Sequence, residues 1–100
     1  MGRAIAKVNG TTIAVADKWE TVEGNVYFPP DSISDKSIFS DSNLTTSCAW
    51  KGISSYYNIN IDGDVLKDAA WYYPAPKEAA KKIKDHVAFY KTKVQVSIED

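Results

Sequence analysis

Glu23 and Lys51 each sit inside an aromatic-rich word, Val22-Glu23-Gly24-Asn25-Val26-Tyr27-Phe28-Pro29 and Cys48-Ala49-Trp50-Lys51-Gly52, and that company makes them candidates for chemistry. A carboxylate such as Glu23 can be a general base, an acceptor for a tyrosine hydroxyl, or a solvated surface group. Acid–base catalysis would want a second carboxylate at a defined distance, and the sequence reveals none. Cys48 and His86 are the only thiol and the only imidazole in the chain. A Cys–His nucleophile pair could arise from them, with Lys51 also lowering the thiol pKa. The plainer alternative is an inert, buried Cys48 and a His86 that begins a strand, because no orienting third group is identifiable. Structural zinc wants four ligands in paired spacings such as Cys-x-x-Cys, and no such pair occurs, so no metal is expected.

Rings are the richer signal. Trp19, Trp50 and Trp71, with Tyr27, Tyr56 and Tyr73, could line one hollow and hold a flat or cationic ligand by stacking and cation–π attraction. Glu23 and Lys51 would then orient that ligand. The competing reading makes the same rings core filler, which suits Trp71 best. Trp50 stays open between the two, because Gly52 lets backbone approach either a strand or a ligand.

Other motifs carry less. Asn58-x-Asn60-x-Asp62-Gly63 opens like a calcium loop, yet its twelfth position is Ala69 and strands flank it, so it reads as a hairpin turn. Lys77, Lys81, Lys82, Lys84, Lys91 and Lys93 load the last quarter with positive charge. Glu78 and Asp85 break that run, and Arg3 is the only arginine, which argues against nucleic-acid binding. The net charge of -1 adds no pull toward a polyanion.

These residues need a scaffold, and 100 residues suffice for one domain over 1–100 with a modest core. Apolar and charged fractions of 44% and 25% are those of an ordinary soluble globule, so an ordered fold is expected. A single cysteine, no visible signal peptide and no apolar run of membrane-spanning length point to a soluble, cytoplasmic protein. Ala6 stands where a myristoylation signal wants Ser or Thr, and the two Asn-x-Thr triplets are chance matches in such a compartment.

The pattern predicts a mainly β domain with one short C-terminal helix. Ala4–Val8 and Thr11–Ala16 flank Asn9-Gly10, the residues of a type I′ hairpin turn. Val22–Phe28 reads as one strand with Glu23 in its polar face, stopped by Pro29-Pro30. Residues 31–47 read as a helical turn, a short strand and a loop around Ile33, Ile38 and Phe39. Ser54–Ile61 is a strand with Tyr57, Ile59 and Ile61 on one face and Tyr56, Asn58 and Asn60 on the other. Asp62-Gly63 turns it back toward Val65-Leu66 and Ala69–Tyr73. Pro74 and Pro76 open a helix to about Lys84, with Ala79, Ala80 and Ile83 inward. Val87–Tyr90 and the alternating Val94, Val96 and Ile98 read as two closing strands.

Taken in order, Val22–Pro29, Cys48–Tyr57, Ala69–Pro76 and Val87–Tyr90 resemble the family catalogued as domain of unknown function 427, across essentially the whole chain. Ala49 stands where that pattern usually has Pro, and Ser54 where Ala is common. The resemblance implies compact, tent-like antiparallel sheets similar to those of methionine sulfoxide reductase B and the cereblon ligand-binding domain. Relatives of that shape often hold zinc with four cysteines, a set this chain lacks. The family also carries a nucleotidyltransferase-like label, but neither a Gly-rich phosphate cradle nor a carboxylate pair is visible here.

The expectation is therefore a small-ligand binding module whose aromatic pocket comprises Glu23, Tyr27, Trp50, Lys51, Tyr56, Trp71 and Tyr73, with Cys48 as a candidate reactive thiol and no cofactor. An enzyme using Cys48 or Glu23 is the alternative, and a structural or protein-interaction domain the third. Ligand identity and oligomeric state are not readable from these residues.

Overall fold

The computed structural model describes residues 2–100. Nine strands form three antiparallel sheets among these residues. Strands β1 (Arg3–Val8) and β2 (Thr11–Ala16) make the expected hairpin, with Asn9 and Gly10 at φ 50° and 81°, the two left-handed positions of its turn. Strand β9 (Gln95–Glu99) pairs with the free edge of β1, completing the order β2-β1-β9.

The segment expected as one strand over Val22–Phe28 is instead a hairpin. Strands β3 (Glu20–Val22) and β4 (Asn25–Tyr27) pair across a turn at Glu23 and Gly24, with φ of 54° and 78°. Two consecutive positive φ values reverse the chain, so Glu23 sits at a turn and not mid-strand. Alternation on both sides of a two-residue turn imitates one continuous strand, and Gly24 was the residue marking the break.

The largest sheet runs β5 (Phe39–Cys48), β6 (Gly52–Ile61), β7 (Asp64–Tyr72) and β8 (Val87–Phe89) in sequence order. Ser-, Asp- and Thr-rich β5 is a full strand where a short strand and a loop were expected. It lies at the sheet edge and is largely exposed, which is where a polar strand is tolerated. Asp62 and Gly63, at φ 51° and 84°, turn β6 into β7. Pro30–Ser32 and Lys36–Ile38 form single 3-10 turns ahead of β5.

The C-terminal helix is of 3-10 type, Glu78–Ile83, with a break at Ala80 (φ -121°). Six residues after two prolines are too few to repay α-helix nucleation. A three-residue period puts Ala80 and Ile83 on the buried face and leaves Ala79 exposed, where an α-helical stripe would have used all three.

Facing residues of β6, β7 and β8 sort the tyrosine pairs onto opposite sides of the sheet. Tyr56, Trp71 and Ala88 lie in register on one face, while Tyr57, Ala70 and Phe89 lie on the other. The second face packs into the main core, where Phe28 and Phe89 meet edge to face at 5.4 Å beside Ile13, Ala14, Ile59 and Val94. The first face is covered by Val22, Tyr27, Ala80 and Ile83, with Cys48 and Trp71 packed alongside. Phe28 and Val87 exchange backbone hydrogen bonds of 2.8 Å each way, and this bridge fastens the β3–β4 hairpin beside β8.

Candidate functional site

Two turns meet above the first face. One is Glu23-Gly24; the other is Ala49-Trp50-Lys51, the connection between β5 and β6. Gly52 ends that connection at φ 111°, a conformation glycine alone adopts without strain. A Cβ there would stand 3.4 Å from the Ala75 carbonyl oxygen, so the position also lets the chain lie close to the Ala75–Lys77 segment. The Lys77 backbone N–H donates to the Lys51 carbonyl at 2.9 Å, and its Nζ donates to the Ala49 carbonyl at 2.7 Å. With its backbone held from outside, Lys51 sends its side chain inward, where it is only 8% exposed.

A buried ammonium needs a counter-charge. Glu23 provides it: Oε1 accepts from Lys51 Nζ, while Oε2 accepts from Trp50 Nε1 at 3.4 Å. The carboxylate side chain itself is 51% exposed and Trp50 is 41% exposed, so the pair straddles the protein surface. Lys51 Nζ also lies 5.4 Å from the centre of the Tyr73 ring and 5.6 Å from that of Trp50, within cation–π range. Burial pushes the Lys51 ammonium down, but the Glu23 hydrogen bond and the Tyr27 and Tyr73 phenols outweigh it, and the net direction is up. The hydrogen bond from Lys51 holds the Glu23 carboxyl below its ordinary range, with its charge and the Trp50 indole adding to the effect. Burial pushes the Tyr73 phenol up, against the pull of Lys51.

Tyr27, Tyr56 and Tyr73 are buried, at 0%, 6% and 4% exposure, so they support the surface more than they form it. Tyr27 lies edge-on to Trp71 at 6.3 Å, and its hydroxyl accepts from Trp71 Nε1 at 3.1 Å. Trp71 then meets Tyr90 at 4.7 Å, and Tyr90 stacks on Tyr56 at 6.3 Å. The Tyr56 hydroxyl lies 3.0 Å from Thr46 Oγ1, which lies 2.6 Å from Ser54 Oγ. All seven expected ligand-site residues thus belong to one connected face, and Cys48 packs against its buried cluster. Trp19 belongs elsewhere, against the main core.

Tyr90, Lys77 and Lys91 also belong to this face, although none of them is among the seven residues expected to form the ligand site. Tyr90 ends one of the aromatic words, and that was the available signal. Lys91 Nζ donates to the Gly24 carbonyl at 3.0 Å, pinning the second turn as Lys77 pins the first. In sequence both lysines are simply part of the positively charged last quarter, and only topology brings them to the turns. The His86 ring lies 3.0 Å from the Lys84 carbonyl oxygen, and no hydrogen bond among the described residues joins it to Cys48. No three His, Cys, Asp or Glu side chains gather as a metal-binding set among those residues. No helix there is long and apolar enough to cross a membrane.

Comparison with curated proteins finds no match. A family profile nevertheless matches residues 2–100, which include every residue of this face. The chain belongs to the family described as Domain of unknown function (DUF427).

Proposed function

We infer that this protein is a binding module for a small ligand, with Trp50 and Glu23 as the recognition surface and Lys51 as the group that positions both. The observation carrying this reading is the shared carboxylate: Glu23 satisfies a buried ammonium and an exposed indole while remaining half open to solvent. An exposed indole face offers stacking area, and a fixed carboxylate beside it accepts a hydrogen bond or attracts positive charge. The fitting ligand is flat and presents a hydrogen-bond donor or a cationic group. Tyr27, Trp71 and Tyr73 form the floor that keeps this geometry rigid, and preorganisation of that kind reduces the entropy lost on binding.

Lys51 suits this role better than covalent chemistry. Its ammonium is held protonated, whereas a lysine acting as a nucleophile must have its pKa depressed.

A thermal-shift screen of flat amines and heterocycles tests the proposal, comparing wild type with Trp50→Ala. Hits that stabilise the wild type and lose their effect in a folded Trp50→Ala variant support it. Hits that stabilise both equally, or a complete screen without hits, would contradict it.

A further inference from the structure

A hollow lies on the opposite face of the same strands from the Trp50 surface. It is a cleft of about 330 Å³ whose lining includes Ile33, Lys36, Phe39, Tyr57, Tyr72 and Asp85. That volume is at the small end of the range for ligand sites and suits a molecule built on one or two rings. It owes nothing to Trp50 or Glu23, because Tyr57 and Tyr72 alternate with Tyr56 and Trp71 along β6 and β7.

Its walls are rings in fixed array. Tyr57 stacks on Tyr72 at 4.4 Å with an interplanar angle of 14°, and Phe39 meets Tyr57 edge-on at 5.6 Å. Ile33 adds apolar surface. The two charges lining the cleft are of opposite sign. Lys36 extends from the 3-10 turn Lys36–Ile38, and Asp85 sits in the left-handed region at φ 60° between the last 3-10 segment and β8. Neither side chain is engaged in an ion pair among the described residues. Burial first, then Tyr72, with smaller contributions from Asp41 and Asp85, pushes the Tyr57 phenol up to about 12.

An aromatic-walled hollow flanked by one unpaired cation and one unpaired anion is complementary to a molecule with both charges on a flat apolar body. A ligand carrying only a positive group would leave Lys36 unmatched, and one carrying only a negative group would leave Asp85 unmatched. We propose that this cleft binds a small zwitterion with an aromatic body, of the class of free aromatic amino acids, with Asp85 receiving the ammonium, Lys36 the carboxylate and Tyr57, Tyr72 and Phe39 the ring.

The test is an NMR titration of the whole protein with L-phenylalanine and L-tryptophan, alongside phenethylamine and 3-phenylpropionate, which each keep one charge. The amino acids should perturb residues around Tyr57, Tyr72 and Asp85, and each single-charge analogue should bind at least tenfold more weakly. Asp85→Asn and Lys36→Met, both at exposed positions, should weaken the amino acids by a similar factor. Trp50→Ala should leave this binding unchanged, which separates its failure from failure of the Trp50 surface. Phenethylamine binding as well as phenylalanine, indifference to Lys36→Met, or no saturable binding by either amino acid would overturn the proposal.

Discussion

Burying an ammonium is unfavourable unless a carboxylate meets it, so Lys51 and Glu23 stand or fall together. Glu23 has its carboxyl lowered from 4.5, so its stabilising contribution is present above the unfolded carboxylate range and is lost as pH falls through the lowered value. Lys51 has its ammonium raised from 10.5, so its contribution is present below that value and is lost as pH rises past the raised one. Glu23→Gln should therefore lower the melting temperature at neutral pH, with the deficit shrinking in acid as the wild-type carboxylate also becomes neutral. Thermal melts of both proteins from about pH 3 to pH 8 check the sign. A deficit that grows toward acid would contradict it. Tyr27→Phe removes the acceptor of Trp71 Nε1 while keeping the ring. Because Trp71 is half-buried, water replaces part of what is lost, and the cost should be about 1 kcal/mol in a urea unfolding curve.

Turns decide where these side chains go, and they were legible only where Asn-Gly or Asp-Gly marks them. The hairpin at Asn9-Gly10 and the reversal at Asp62-Gly63 were readable because Asn-Gly and Asp-Gly adopt paired positive φ readily. Glu23-Gly24 does the same with a residue that seldom does, and the alternation around it hid the break. The polar β5 was underestimated because edge strands need little apolar character, and edge position is a property of topology. Two glycine substitutions measure how much each turn depends on its backbone. Gly24→Ala places a Cβ in open space at φ 78° and should cost about 1 kcal/mol. Gly52→Ala, at φ 111° with backbone oxygen 3.4 Å away, should cost more, about 2 kcal/mol. Urea midpoints rank them. Equal costs would mean that the close approach to Ala75 contributes nothing.

Across the whole molecule, one sheet separates two sets of rings. The doublets Tyr56-Tyr57 and Tyr72-Tyr73 each give one ring to either side, so a pattern that looks redundant in sequence furnishes two surfaces of different character. One side carries a buried lysine, a half-open carboxylate and an exposed indole; the other carries the stacked pair and the cleft. The members of the first set fall inside four ordered words, which is why they could be grouped from sequence, although Glu23 lies at a turn and not in mid-strand. The sequence did not separate support from surface, since Tyr27, Tyr56 and Tyr73 are buried by the covering hairpin and loops, which no local pattern encodes. The most direct test of the account follows the side-chain N–H resonance of Trp50 in labelled protein while flat cationic fragments are titrated in. A saturable shift of that resonance, with Trp19 unmoved and the effect lost in Glu23→Gln, is the predicted result. Fragments that bind while leaving the Trp50 resonance unmoved, or that shift it equally in Glu23→Gln, would contradict it.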